Sequence, residues 1–502
     1  MSGPEMLPRL EAIVGAAPSL RRIEALLPVG VRPRQLSVAT LVLGILLSLI
    51  DGRPAHLTRV HAALVSLRAS DQWRLGVRVD WKCGPHLLTY RQVERTFRLL
   101  VGVLKEQHPD GMPSETLQGL VDELVEASVP AEYKEATTAL AVDWTDVESN
   151  ARPPPAEGGP TADPEASWGH RRGNGPGQKD ELFYGYLLQL ATMVREEVGP
   201  AVPELVRRLL LTSCHVDPPP AFIAVLERLV TSGVPLGDLL SDSGYSHRVP
   251  EHWALPLRAF GANIVTDLHP HDRGTKGTHA GAICFNGSLY CPSTPAGLFD
   301  IGPLSRQATG EETDAHDEKT AELARYKLGC VSADDADGFH RVACPAAMGK
   351  VRCPLRIDSM ALPHSRPEIL DPPEHPPVCC SQQTLTVPPS VNAKTKQKHD
   401  YPSKAHRASY GRRSAAERSN ATVKDPASND ISRGWCRLMG LSPITLMLTC
   451  LFVTRNLRIV GSFEARQAED ARRVAVGLPA KTRRRRRKTI NDLVGASANA
   501  PP

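Results

Sequence analysis

"TALAVDWTDV", residues 138–147, is where the character of the chain changes. Before it, residues 1–130 show helical periodicity at 36–50, 54–68, 89–106 and 113–127. The stretch itself is apolar and reads as a strand ending on Asp143. Residues 151–180, "ARPPPAEGGPTADPEASWGHRRGNGPGQKD", are so rich in Pro and Gly that a long loop with no regular element is expected. "LFYGYLLQLATMV" (182–194) and "PELVRRLLLTSCHV" (203–216) follow as two strands of a meander. "PPAFIAVLERLVTSG" (219–233) has Pro in its first turn and Gly at its end, which predicts a helix. Next come the strand-like "GDLLSDSGYSH" (237–247), a helix at 251–259 and the strand "ANIVTDL" (262–268).

Strands followed by alternating helix and strand predict an α/β sheet domain. This order is similar to the ribonuclease-H-like fold. Residues 138–272 would form its first part, and residues 273–400, with many Gly, Pro and Cys and short extended runs, would be a β-rich insertion. The core would resume over 401–462, with "SPITLMLTCLFVTRNLRIV" (442–460) as a packing helix. A basic, flexible tail is expected over 463–502. The apolar run Leu36–Ile50 falls short of the roughly 20 residues needed to cross a bilayer and is expected to be a buried helix. Within the helical N-terminal domain, "TYRQVERTFRLL" pairs capping-box spacing at Thr89 and Gln92 with an apolar stripe of Val93, Phe97 and Leu100. Arg91, Arg95 and Arg98 lie off that stripe, either as a solvated face or as a surface that tracks phosphates.

The net charge is only +5, but residues 391–424 hold nine Lys/Arg against two acids, which points to a polyanionic partner. Eleven cysteines, an odd number, without a basic and apolar opening segment favour reduced thiols and a cytoplasmic setting.

Within the basic segment, "YGRRSAAERSNATVK" (410–424) carries one acid, Glu417. Ser403 can cap a helix there and Pro426 limits its extent. On that helix Tyr410, Arg413, Glu417 and Lys424 fall within roughly 60° of one another. Asp143 and Asp242 come at two expected strand ends, where open α/β sheets gather functional groups. Three converging carboxylates repel one another unless a cation neutralises them, and oxygen-only ligation suits Mg²⁺ or Mn²⁺. Asp146 is a possible substitute for Asp143, but strand alternation puts the two on opposite faces, and Asp143 is preferred.

The spacing Tyr410-x2-Arg413-x3-Glu417-x6-Lys424 resembles the Tyr-Arg-Glu-Lys signature of bacterial insertion-sequence transposases with an Asp-Asp-Glu triad. "AVDWTDV" and "LLSDSGYSH" resemble that family's first two catalytic motifs, and the resemblance covers roughly residues 80–460. It implies that Asp143, Asp242 and Glu417 are catalytic and bind two Mg²⁺ or Mn²⁺ ions. Tyr410, Arg413 and Lys424 would contact double-stranded transposon-end DNA. The implied protein is an enzyme that cleaves strands at transposon ends and transfers them into target DNA. It would act as a homodimer on DNA, in the bacterial cytoplasm or nucleoid, with no membrane partner. The alternative is a transposase-derived DNA-binding protein that no longer cuts. Trp144 departs from the family, which usually has a small residue there.

Three further features remain. Cys344, Cys353, Cys379 and Cys380, with His340 and His375 nearby, would suit a structural zinc, but without a C-x2-C pair buried thiols are preferred. "DLHPHDRGTKGTH" offers His269, His271, Asp272 and His279, read as a loop near DNA rather than as a metal site. The run Arg483–Lys488 is expected to be a nonspecific phosphate contact.

Overall fold

The computed structural model describes residues 3–29, 34–50, 56–81, 84–105, 110–155, 157–171, 179–305, 307–424, 431 and 436–481. The run Arg483–Lys488 lies outside them. By contact the chain divides into two compact units, residues 1–456 and 457–502.

The N-terminal part is mainly helical: α1 (Gly3–Gly15), α2 (Ser19–Leu26), α3 (Val38–Ile50), α4 (Leu57–Val65) and α5 (Ala69–Arg74). A short hairpin of β1 (Arg78–Trp81) and β2 (Gly84–Leu87) follows, then α6 (Tyr90–Lys105), α7 (Glu115–Ala127) and α8 (Ala131–Ala136). Nearly every residue of α3 is buried, as its unbroken apolar sequence requires. The start of α6 is fixed by Gln92 Oε1, which accepts from Thr89 N at 2.8 Å and Thr89 Oγ1 at 2.9 Å. Its residues Val93 and Leu100 are buried while Arg91, Arg95 and Arg98 are exposed.

The centre is a six-stranded mixed sheet of β3 (Leu140–Glu148), β4 (Ser167–Arg171), β5 (Glu181–Met193), β6 (Val206–Ser213), β7 (Asp238–Ser241) and β8 (Asn263–Thr266). The strands run β5-β3-β7-β8 across the sheet, and β4 and β6 lie end to end along the outer edge of β5. β5 is antiparallel to its neighbours, whereas β3, β7 and β8 are mutually parallel. Helix α9 (Pro218–Thr231) makes the crossover from β6 to β7, starting on Pro as its sequence predicts. After β7 come α10 (Ser243–Ser246) and α11 (Ala254–Ala259). The result is a mixed α/β fold.

The central sheet departs from the sequence expectation in two places. The Pro/Gly stretch does hold a regular element: β4 pairs with residues 181–185 of β5, because an extended partner supplies hydrogen bonds that local composition does not encode. β3 does not end on Asp143 but runs on to Glu148, pairing with β5 along its whole length.

Residues 273–400 contain two three-stranded sheets, β9 (Thr275–His279) with β10 (Ala282–Phe285) and β11 (Ser288–Tyr290), and β12 (Gly329–Cys330) with β13 (His340–Ala343) and β14 (Leu385–Val387). The segment also holds helix α12 (Gly310–Arg325), opened by a capping box of Thr309 and Glu312, and the short α13 (Val378–Ser381). The anticipated single helix over 403–424 is two: α14 (Lys404–Tyr410) and α15 (Ser414–Val423), joined by a 3-10 turn at Gly411–Arg413. Gly411 is a poor helix former and marks the break. Finally α16 (Leu441–Ala475) continues as helix well past residue 463, where a flexible tail was expected. It is long and apolar enough to cross a membrane by length and composition, and 78% of its apolar window is buried.

Candidate functional site

Register brings the two aspartates together. Leu140 of β3 pairs with Leu239 of the parallel β7, and each aspartate comes three residues later. Asp143 and Asp242 are therefore side by side at the point where β7 has ended and β3 continues. Asp242 caps α10: its Oδ1 accepts from Gly244 N at 2.9 Å and Tyr245 N at 3.3 Å, leaving Oδ2 for another partner.

Helix α15 adds the third acid. Ala415 and Ala416 pack against Ala139, Ala141, Leu240 and Val265, and small residues on both sides let the helix lie close on the sheet. Ser419 Oγ, 3.1 Å from Thr192 Oγ1, fixes its rotation. α14 is anchored by Ser403, which caps it, and by His406 Nε2, 3.0 Å from Thr266 O at the end of β8. Between the helices the buried Arg412 donates to Asp238 Oδ2 at 2.6 Å, an acid that Lys398 also holds at 2.8 Å. Arg412 is thus a structural anchor, whereas the next residue, Arg413, turns into the acidic cluster.

Arg413 pairs with Glu417 one turn along, lies 3.6 Å from Asp143 Oδ2, and has its guanidinium 5.6 Å from the centre of the Tyr410 ring. Burial, together with the charge of Asp242, pushes the Asp143 carboxyl up to about 6, and Glu417 adds to the shift. Arg413 and the backbone N–H of Trp144, 3.0 Å from Asp143 Oδ1, pull the other way and do not cancel it. Burial works against the charge of Arg413, but Tyr410, Asp143, Glu417 and Asp242 outweigh it and raise its pKa.

No protein-family model, curated protein or solved structure matches this chain. The geometry therefore has to carry the functional reading alone. The structure brings together Asp143, Asp242, Glu417, Arg413 and Tyr410. Tyr410 is partly buried, stacked on His406 with centroids 5.7 Å apart, and burial pushes its hydroxyl up to about 12. Lys424 is not drawn to Asp143 or Glu417; its ammonium lies 2.8 Å from Asp146 Oδ1. Asp146 also pairs with Arg171, which reaches Glu148 at 2.7 Å. Burial disfavours the Asp146 carboxylate, but these bonds outweigh it and lower its pKa.

Trp144 is accommodated by Gly244. A Cβ there would fall 2.6 Å from the indole, so a large residue beside Asp143 is matched by the smallest one beside Asp242. The indole also packs on Tyr245, whose hydroxyl lies 3.2 Å from Gln189 Oε1.

Two residues, Asn420 and His247, carried no functional expectation from the sequence. Asn420, one turn beyond Glu417, donates to Asp143 Oδ2 at 3.1 Å, and its Oδ1 is buried without a hydrogen-bond partner. Its spacing from Glu417 was the available signal. His247 joins His269 and His271 in a group whose ligand atoms all lie within 4.8 Å of one another. Among the described residues no other three His, Cys, Asp or Glu side chains meet that limit, the three acids included. This cluster can hold a single metal ion, so a metal site, which the sequence ranked below a loop near DNA, has a ligand set once His247 is added to His269 and His271. His279 stands apart, 3.2 Å from Thr386 O. Burial and the neighbouring His247 and His271 lower the pKa of His269, favouring neutral imidazole.

Among the described residues the cysteines form no such group. Cys344 and Cys353 share one buried cluster with Cys291, while Cys379 and Cys380 belong to another. Burial pushes the Cys291 thiol up to about 12, the behaviour of an unreactive core cysteine.

Proposed function

We propose that this protein is a metal-dependent DNA transposase with an Asp-Asp-Glu triad on a ribonuclease-H-like core. The observation that carries the reading is the convergence of Asp143, Asp242 and Glu417, from two parallel strands and a packed helix, in a cluster where acids outnumber the one arginine. The strand order β6-β5-β3-β7-β8, with only β5 antiparallel, supports the core assignment.

The donor set fits Mg²⁺ or Mn²⁺: three carboxylates, a raised Asp143 pKa that a cation would relieve, and the unpartnered Oδ1 of Asn420 beside them. When bound by Asp143, Asp242 and Glu417, two such ions supply an activated water or 3′-hydroxyl and stabilise the leaving oxygen of a phosphodiester. Asp242, fixed by the N-terminus of α10, and Asp143, fixed by Asn420 and the Trp144 N–H, keep the ligands oriented. Arg413 moves from the carboxylates to a DNA phosphate, Lys424 contacts a phosphate further along, and Tyr410 packs beside the same strand. The substrate is double-stranded DNA carrying the element's terminal inverted repeats, bound by a homodimer in the bacterial cytoplasm.

The second reading, a DNA-binding descendant that no longer cuts, draws support from the pairing of Arg413 with two of the three acids. Incubating purified protein with Mg²⁺ and DNA bearing the repeats that flank its gene separates the two. Cleavage at the repeat ends is expected, and folded protein that binds without cutting would establish the second reading.

A further inference from the structure

The three histidines lie beside the acidic cluster yet differ from it in chemistry. His247 ends the single turn α10 that Asp242 begins. His269 and His271 sit on the turn just after β8, at the approach to the 273–400 segment. The His247 and His269 rings stack with centroids 3.8 Å apart, and His271 stands edge-on to His269 at 4.9 Å.

Stacking alone does not explain a third ring or the acid behind it. Asp272 Oδ2 is 3.4 Å from His247 Nδ1 and is itself held by Lys394 Nζ at 2.9 Å. A carboxylate on one ring nitrogen orients the ring and leaves the other nitrogen free, the usual support of a metal-bound histidine.

We propose that His247, His269 and His271 bind one Zn²⁺ ion, with Asp272 orienting His247 and solvent in the fourth position. Imidazole donors select zinc or a similar transition metal over Mg²⁺ and Mn²⁺, which prefer oxygen. A tetrahedral ion with Zn–N near 2.0–2.1 Å needs nitrogens roughly 3.4 Å apart. From separations within 4.8 Å, and with His247 and His271 on the surface, ligation asks for a small closure.

The ion would tie the turn after β7 to the turn after β8. Those turns already touch: Ser246 Oγ donates to Asp267 O at 3.1 Å, and Thr266 Oγ1 donates to Asp242 O at 3.1 Å. Zinc would therefore hold Asp242 in place from outside the acidic cluster.

The test needs neither DNA nor cleavage, so it stands or falls apart from the transposase reading. Full-length protein is stripped with chelator, reloaded with Zn²⁺ or Co²⁺, and assayed by elemental analysis and visible absorption. With excess Mg²⁺ present to occupy the carboxylate cluster, one Zn²⁺ or Co²⁺ ion per chain is expected, with a tetrahedral Co²⁺ spectrum lacking thiolate charge transfer. His247→Ala/His269→Ala should lose the ion while His279→Ala keeps it. Asp272→Asn, which keeps all three imidazoles, should weaken binding roughly ten- to a hundredfold and guards against misfolding of the double variant. Failure to bind one equivalent, retention of the ion by the double variant, or a thiolate band placing the metal on cysteine would each overturn the proposal.

Discussion

Asp143 and Asp146 lie three residues apart on β3, yet their surroundings are opposite. Around Asp143 acids are in excess: Asp242 and Glu417 share the space with Arg413, and the carboxyl is pushed up to about 6. Around Asp146 the bases win: Arg171 and Lys424 both bond to it, and its pKa falls. A paired carboxylate is a satisfied one. A cluster left short of positive charge stores unfavourable energy that a bound cation can release, and that difference separates a site from a surface ion-pair network.

The largest test is catalytic. Glu417→Gln and Asp143→Asn should each reduce cleavage on the order of 10³-fold or more while leaving binding to end DNA intact. Asp146→Asn should leave cleavage within a few-fold of the parent. Loss of cleavage in Asp146→Asn with activity retained in Asp143→Asn would reverse the assignment of the two.

The same contrast sets opposite pH slopes in metal-free protein. Asp143 titrates above its unfolded value of about 3.9, so its contribution to stability is complete below about pH 4 and is lost as pH rises through 6. Relative to Asp143→Asn, the parent should lose on the order of 2–3 kcal/mol across that window, and added Mn²⁺ should restore it. Asp146, with its pKa lowered, contributes above its unfolded pKa and loses that contribution as pH falls. Asp146→Asn should therefore be less stable than the parent near neutrality, by about 1–2 kcal/mol after allowing for the partly exposed Arg171 and Lys424, and the gap should close in acid. Denaturant titrations at stepped pH read both, and slopes of the same sign would break the comparison.

Much of this was legible in the chain because it depends on local chemistry. Pro at the start and Gly at the end delimit α9, Ser403 caps α14, and the spacing of Tyr410, Arg413 and Glu417 survives even the 3-10 turn at Gly411. What was not legible depends on partners distant in sequence. β4 exists because β5 lies beside it, and β3 outruns Asp143 for the same reason. Helix α12 has a clear capping box but almost no buried face, so its apolar periodicity is weak. Of the site residues, Asn420 and His247 acquire meaning only once α15 lies on β3 and the turns after β7 and β8 meet.

The finest distinction concerns Lys424, which belongs by position to the basic signature and by contact to the Asp146 network. Its ammonium has three donors, and Asp146 accounts for one of them at 2.8 Å, so two remain for a phosphate. Arg171 stays on Asp146 when Lys424 is removed, so Lys424→Met should cost only about 0.5–1 kcal/mol of stability. Loss of one phosphate contact should instead reduce the slope of log binding constant against log salt by about 0.9. A changed slope with nearly unchanged stability would assign the lysine to DNA. An unchanged slope would confine it to the ion-pair network, leaving Arg413 as the basic residue that the acidic cluster shares with its substrate.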